Sequence, residues 1–148
     1  EITQFTYLQQ MAGIDCNPVS VEITYGLERI CMFIQQQQNV YDLDWNEKGV
    51  KYKDVFHQSE MEFSKYNFEF ANIENLFKNF DMHEFEARSL AEKNISLPAY
   101  DHCLKASHVF NILDARGAIS VAERADYISR IRNIVKLVAE VWIETQKN

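Results

Sequence analysis

The scarcity of glycine and proline is the feature that most constrains the fold of this sequence. Only 4 Gly and 2 Pro occur in 148 residues, whereas a loop-rich or many-stranded chain needs turn residues at short intervals. Long helices are therefore expected over most of the chain. The clearest of them is the last, where an apolar stripe recurs at helical spacing. Its members are Ile128, Ile131, Val135, Val138 and Trp142.

The region after residue 39 is predicted to be helical beyond a bridging segment at residues 40–50. Apolar spacing predicts three helices before the last one, near residues 56–66, 73–90 and 100–113. The second should close before Pro98, and Gly117 should end the third. Ser120 and Glu123 form a capping box that starts the final helix, because each side chain can satisfy a free backbone donor.

The first 34 residues have a different pattern. Residues 2–8 predict a strand, residues 13–18 a turn, residues 19–25 an alternating strand, and residues 27–34 a helix after Gly26. The predicted fold class is therefore α+β. Because the chain opens on Glu1 and already reads as a strand, we expect a fragment of a longer protein whose sheet has further strands.

The charge balance argues against this chain being a main nucleic-acid-binding surface. The net charge is −7, and residues 1–100 hold 8 basic and 16 acidic residues, whereas phosphate contacts need clustered Lys and Arg. Residues 101–148 carry a net +1. Two interpretations of that stretch stay open: a solvated helix face with internal pairs such as Asp126–Arg130, or an RNA contact.

Neither a membrane segment nor a metal site is expected. No apolar run approaches the roughly 20 residues that span a bilayer. The three cysteines are far apart and odd in number, which is typical of reduced thiols in a cytoplasmic protein. No histidine–cysteine set has the close spacing of zinc ligands. These residues are Cys16, Cys31, Cys103, His57, His83, His102 and His108.

Residues 22–29 carry the most informative polar pattern. Glu22 and Thr24 share one face of a strand because alternate residues point the same way. Arg29 follows at the start of a helix. A carboxylate and a hydroxyl near a guanidinium can hold an ammonium group and a polyphosphate at adjacent points. On pattern alone, a surface ion pair remains the competing interpretation.

The segment Gly26–Arg29 resembles motif 3 of the class II aminoacyl-tRNA synthetases. Further runs resemble the C-terminal half of the α subunit of the bacterial two-subunit glycyl-tRNA synthetases, and together they span nearly the whole chain. They are Gln4–Tyr7, Gly13–Asp15, Pro18–Gly26, Asp54–Gln58, Leu97–Asp101, Lys105–His108 and Phe110–Val121. These long runs are far more specific than motif 3 alone. Within the last run, Asp114–Gly117 resembles a fixed turn of the family, in which Asp114 and Arg116 would form a structural ion pair.

The resemblance implies a fold, an activity and a set of site residues. Residues 1–50 would be the end of a class II antiparallel sheet, with two strands and the motif 3 helix, and residues 51–148 an α-helical domain. The activity would be glycine–tRNA ligation through glycyl-adenylate, with Mg²⁺-bound ATP as substrate. Arg29 would be catalytic and bind ATP with Glu1. Glu22, Thr24 and Gln4 would bind glycine, although Gln4 could equally be an exposed strand amide and Glu1 a chain end.

The resemblance also implies partners and a limit. The expected partners are glycine, ATP, tRNA(Gly), a β subunit and a second α subunit in a heterotetramer, in the cytoplasm. Motifs 1 and 2 of class II are not found in these residues, so the chain alone is expected to be inactive. The alternative hypothesis is a non-catalytic helical interaction module that retains a motif-3-like corner.

Overall fold

A computed structural model describes residues 1–147. Its main elements are two strands and five α-helices, and a short 3₁₀ turn and a π-helical turn, Tyr66–Phe70, add to them. Their bounds are β1 Thr3–Met11, β2 Ile14–Tyr25, α1 Leu27–Ile34, α2 Tyr52–Lys65, α3 Ile73–Glu92, α4 Ser96–Ala115 and α5 Val121–Thr145. The α+β prediction is confirmed, and each predicted helix is present.

The chain divides into two compact units, which are described separately. The N-terminal unit comprises Glu1–Met11 and Asp15–Tyr66, and the C-terminal unit comprises Ala12–Ile14 and Asn67–Asn148. This division follows backbone packing. The prediction that a catalytic part ends at residue 50 is a separate matter and stays a prediction.

Strands β1 and β2 form a two-stranded antiparallel hairpin. Its turn is Ala12–Gly13, with φ of 53° and 76°, and two positive φ angles are the geometry of the tight turn that matches the twist of paired strands. The predicted turn at residues 13–18 was therefore wrong in extent, because β2 already begins at Ile14 and contains Pro18. Each strand of a two-stranded sheet has a free edge, so the missing N–H of Pro18 need not cost a ladder bond.

The segment between α1 and α2 is compact although it is mostly irregular. It contains a short 3₁₀ turn, Val40–Asp42, and a single antiparallel bridge between Asp44 and Lys51. Helix α2 then starts where the Asp54 carboxylate accepts from the Lys51 backbone N–H at 2.8 Å. Leu43 is the buried apolar side chain of this segment.

Helices α3, α4 and α5 pack into a bundle with one apolar core. Phe80, Cys103, Leu113 and Ile134 are its largest fully buried side chains. The capping box is confirmed: Glu123 N–H donates to Ser120 Oγ at 3.2 Å, and Ser120 N–H donates to the Glu123 carboxylate at 3.0 Å. Gly117 has φ of +63°, which ends α4 in the conformation that favours glycine.

Helix α3 ends at Glu92 and so closes before Pro98, as predicted. Two other local predictions about the bundle were wrong. Helix α4 begins at Ser96 and not near residue 100, so Pro98 lies inside its first turn, where proline is tolerated because those N–H groups lack helical partners. The predicted pair Asp126–Arg130 is replaced by contacts between helices, since Arg130 binds Asp81 at 2.6 Å and also Glu84. The largely buried Glu84 carboxylate on α3 binds the Arg130 guanidinium in place of Asp126, which is exposed and one turn away on α5.

Two more basic residues of this stretch, Arg116 and Arg124, also contact groups of the bundle itself. Asp114 pairs with Arg124 at 3.1 Å. The predicted pair of Asp114 with Arg116 was therefore wrong. Arg116 instead donates to the backbone carbonyls of Asn67 and Ala71, at 3.3 and 3.2 Å. These contacts favour the interpretation of a paired helix surface over an RNA contact. Among residues 1–147, none of the helices is long and apolar enough to cross a membrane.

Candidate functional site

The candidate site is the corner where the hairpin meets α1. The Gly26 N–H donates to the Ile2 carbonyl at 3.0 Å, which joins the open end of the hairpin. Helix α1 then starts, with the Ile30 N–H donating to the Gly26 carbonyl at 3.0 Å. The strand-to-helix transition thus brings the start of β1, the end of β2 and the first turn of α1 to one place.

A depression of about 240 Å³ occupies this corner. It is lined by Glu1, Ile2, Thr3, Gln4, Thr24, Gly26, Glu28 and Arg29. Four of the five predicted site residues therefore line one surface, namely Glu1, Gln4, Thr24 and Arg29. The antiparallel register explains why residues twenty positions apart meet there, because Ile2 and Gly26 are paired.

Glu22 is the predicted residue that does not line the depression. Thr24 connects Glu22 to the depression, because the Thr24 hydroxyl donates to Glu22 Oε1 at 2.7 Å. The two side chains share a strand face, as their spacing predicted. Glu22 uses one acceptor position in this bond, so the carboxylate keeps further lone pairs for another donor.

Arg29 is held at the rim by the chain's own backbone. Its Nη1 donates to the Glu1 carbonyl at 2.9 Å, which uses one of the five N–H donors of a guanidinium. The others are available for an anion. A Cβ on Gly26 would lie 3.5 Å from Arg29 Cδ, which is an ordinary van der Waals contact. The space beside the Arg29 side chain therefore does not require glycine at this position.

Two features of the corner were missed by sequence reasoning. The Glu1 backbone carbonyl, and not its side chain, contacts Arg29. The Tyr52 hydroxyl of α2 donates to Glu28 Oε1 at 3.4 Å. Burial, followed by the charge of Glu28, raises the pKa of Tyr52. Twenty-four residues separate Tyr52 from Glu28, and no sequence pattern links them.

The histidines and cysteines do not join this site. His83 and His102 lie against each other in the bundle, with their Nδ1 atoms 3.0 Å apart. Burial raises the pKa of the Cys103 thiol to about 11, so it is protonated at neutral pH and a poor nucleophile. Among residues 1–147 there is no group of three potential metal ligands.

Comparison with protein families agrees with the resemblance seen in the motif and the longer runs. A family model described as "Glycyl-tRNA synthetase alpha subunit" matches residues 1–147. The match includes both the hairpin corner and the helical bundle. The chain therefore belongs to the glycyl-tRNA synthetase alpha subunit family, whose role is the ligation of glycine to tRNA.

Proposed function

We propose that the corner at residues 1–29 forms part of the site where a class II glycine–tRNA ligase activates glycine with ATP. The observation that carries this proposal is the shared depression, in which a strand amide, a hydroxyl and a guanidinium converge. A chain of this family has a reason to keep these three groups together, since its substrates are an amino acid and a nucleotide.

Arg29 is the proposed ligand of the ATP γ-phosphate. A guanidinium is planar, stays charged at all physiological pH values and matches phosphate oxygens with parallel N–H donors. Its bond to the Glu1 carbonyl fixes one edge of the group, which reduces the rotamer freedom lost when ATP binds. Glu1 lies in the same lining and is proposed to contact Mg²⁺-bound ATP.

Glycine is proposed to bind beside it, on the face that carries Glu22, Thr24 and Gln4. The Glu22 carboxylate would neutralise the glycine ammonium, while the Thr24 hydroxyl holds that carboxylate in place. Glycine has no side chain to recognise, so selectivity needs a close grip on its ends and no space for a Cβ. Steric exclusion of one methyl group usually contributes about 1–3 kcal/mol.

The proposed reaction has two steps. A glycine carboxylate oxygen attacks the α-phosphorus, the bond to the β-phosphate oxygen breaks, and glycyl-adenylate and pyrophosphate form. The glycyl group then passes to the 3′ end of tRNA(Gly), and AMP leaves. Both steps depend on positioning and charge stabilisation, so the absence of a nucleophile among the proposed residues is expected.

The remaining parts of the proposal concern the assembly. Class II motifs 1 and 2 are not recognised in residues 1–148, so we propose that this chain alone does not form adenylate. The activity would belong to a cytoplasmic heterotetramer of two α and two β subunits. The β subunit would supply most tRNA contacts, which agrees with the net charge of −7 on this chain.

The first test is Arg29→Ala in the complete synthetase. Glycine-dependent ATP–pyrophosphate exchange should fall about 100- to 1,000-fold, as it does when one preorganised donor to a developing charge is lost. Arg132→Ala is the matched control, because Arg132 is an exposed arginine of α5, and it should leave exchange unchanged. Unchanged exchange in Arg29→Ala would instead favour the non-catalytic interaction module.

The second test separates glycine binding from ATP binding. Glu22→Gln removes the charge that would face the ammonium, so KM for glycine should rise about 10- to 100-fold, the usual effect of losing a charged hydrogen bond. KM for ATP should stay within about twofold. Glu47→Gln, an exposed carboxylate in the loop before α2, is the control. Equal changes in the KM for glycine and the KM for ATP would show that Glu22 does not bind glycine specifically.

A further inference from the structure

The N-terminal unit contains a second depression that the proposed function does not use. Its volume is about 380 Å³, within the range of ligand pockets. It lies between α1, the segment before α2, and α2 itself. Its lining comprises Leu27, Glu28, Cys31, Leu43, Asp44, Trp45, Tyr52 and Phe56. We call it the aromatic pocket.

Three aromatic rings form one wall of the aromatic pocket. Trp45 and Phe56 meet edge to face with centroids 5.3 Å apart, and Tyr52 and Phe56 lie 4.8 Å apart. Leu43 is 3% exposed and forms a fixed apolar floor, whereas Trp45 is 53% exposed. The rings therefore support one another and still present open faces to a ligand.

The charges of the pocket are unbalanced. Of its two carboxylates, Asp44 is neutralised by Lys51 at 2.6 Å. Glu28 has no basic side chain within salt-bridge distance among residues 1–147. Within the described part of the chain, the Glu28 carboxylate accepts one side-chain hydrogen bond, the long one of 3.4 Å from the Tyr52 hydroxyl. The adjacent guanidinium, that of Arg29, is directed to the Glu1 carbonyl.

We propose that the aromatic pocket binds one arginine side chain of a partner polypeptide. A guanidinium can stack on an aromatic face and at the same time donate two parallel hydrogen bonds to Glu28. A neutral apolar side chain would desolvate that carboxylate without compensation. Residues 1–66 hold 10 acidic and 5 basic residues, so the surrounding field also favours a basic partner.

The inference is independent of the proposed function, and a single reporter tests it. In a Trp142→Phe background of the 148-residue chain, Trp45 is the remaining tryptophan. Its fluorescence is followed during titration with acetyl-Gly-Arg-Gly-amide and with the same peptide carrying citrulline. Citrulline keeps the size and planarity of arginine without its charge. The arginine peptide should bind saturably with a millimolar Kd, about tenfold tighter than the citrulline peptide.

Variants and a second readout assign the effect to the pocket. Glu28→Gln should weaken the arginine peptide about tenfold, whereas Glu47→Gln should change its Kd less than twofold. The bound peptide should also slow alkylation of Cys31, which is exposed and lines the pocket. Equal Kd values for the arginine and citrulline peptides would overturn the proposal even if the Glu28 variant failed to fold. No saturable change up to about 20 mM peptide would do the same.

Discussion

The two units of this chain bury their apolar residues very differently. In the C-terminal unit, α3, α4 and α5 enclose a core in which Phe80, Leu113 and Ile134 are completely inaccessible. In residues 1–66, Leu43 is the one large apolar side chain among the buried residues. The hairpin exposes aromatic and β-branched side chains along both strands, among them Phe5 and Ile23.

The difference indicates where stability and where function are found. A helical bundle with a closed core supplies its own free energy of folding. A two-stranded hairpin is at best marginally stable by itself and needs a third strand or a packed layer. The N-terminal unit uses its surface instead for two depressions, the polar corner and the aromatic pocket, which share Glu28. Substitutions in the bundle should therefore change stability, and substitutions at the corner should change substrate binding.

The largest effect should come from the bundle core. Phe80→Ala removes a ring that is 0% exposed, and it should lower the free energy of unfolding by about 3–5 kcal/mol. Phe85→Ala lies on the same helix with its ring 68% exposed and should cost less than about 0.5 kcal/mol. Urea unfolding followed by circular dichroism measures both. Similar losses in the two variants would contradict the assignment of the core.

The hairpin extends this comparison. Phe5→Ala on β1 should also change the free energy of unfolding by less than about 0.5 kcal/mol, because its ring is 64% exposed. The same urea experiment applies. A loss comparable to that of Phe80→Ala would show that the hairpin side chains are covered in solution, and the contrast between the two units would fail.

An intermediate effect is expected at the α3–α5 contact. Arg130 lies 4.5 Å from the centre of the Phe80 ring and donates to Glu84 at 2.7 Å. Burial acts to raise the pKa of Glu84, but hydrogen bonds from Arg88 and Arg130 outweigh it and hold the pKa below its usual value. Arg130→Met should cost about 1–3 kcal/mol, since Glu84 loses one of its two cations.

Arg132→Met is the control for that substitution, because Arg132 is exposed on the same helix. Thermal unfolding of both variants at pH 7 measures the difference. Glu84 also gives the pH dependence a direction. Its stabilisation is complete above the unfolded pKa of a glutamate, about 4.3, and is lost as the pH falls through its lower folded value. Equal midpoints for the two variants would rule out a stabilising role for Arg130.

The smallest effect should be a pH dependence from the histidine pair. Burial, then the charges of His102 and Lys105, lower the pKa of His83, and Asp101 opposes them. The unfolded chain therefore binds more protons below about pH 6.5, so stability is complete above that value and falls as the pH decreases toward the folded pKa. His83→Gln should flatten the slope between pH 5 and 7. His108→Gln, at an exposed position of α4, should not.

The sequence predicted the helices well and the hairpin less well, for a physical reason. Helix signals are local: the Ser120–Glu123 box and the Gly117 stop each depend on a few adjacent residues. The start of β2 depended on a turn at Ala12–Gly13 that lacks the usual Asn or Asp before glycine. Asn17 and Pro18 are residues typical of turns, whereas Ala12 is not. The turn was therefore predicted too far along the chain, at residues 13–18.

The candidate site divides in the same way. The alternation of β2 was enough to predict that Glu22 and Thr24 share a face, and motif 3 was enough to select Arg29. The contact between Arg29 and the Glu1 carbonyl joins residues 28 positions apart. It follows from strand pairing and could not be predicted from spacing. The predictions of ion pairs were wrong for a related reason: the partner of Arg130 is a carboxylate on another helix, that of Glu84.

By itself, the sequence determined the family, the α+β class, the helix boundaries within a few residues and the residues worth testing. These properties depend on short-range periodicity, capping and motif identity, which are written in adjacent positions. Only the tertiary structure decided that Glu1, Gln4, Thr24 and Arg29 line one depression and that Glu28 faces Tyr52. Such contacts join distant parts of the chain, and strand register and helix packing create them after the local elements have formed.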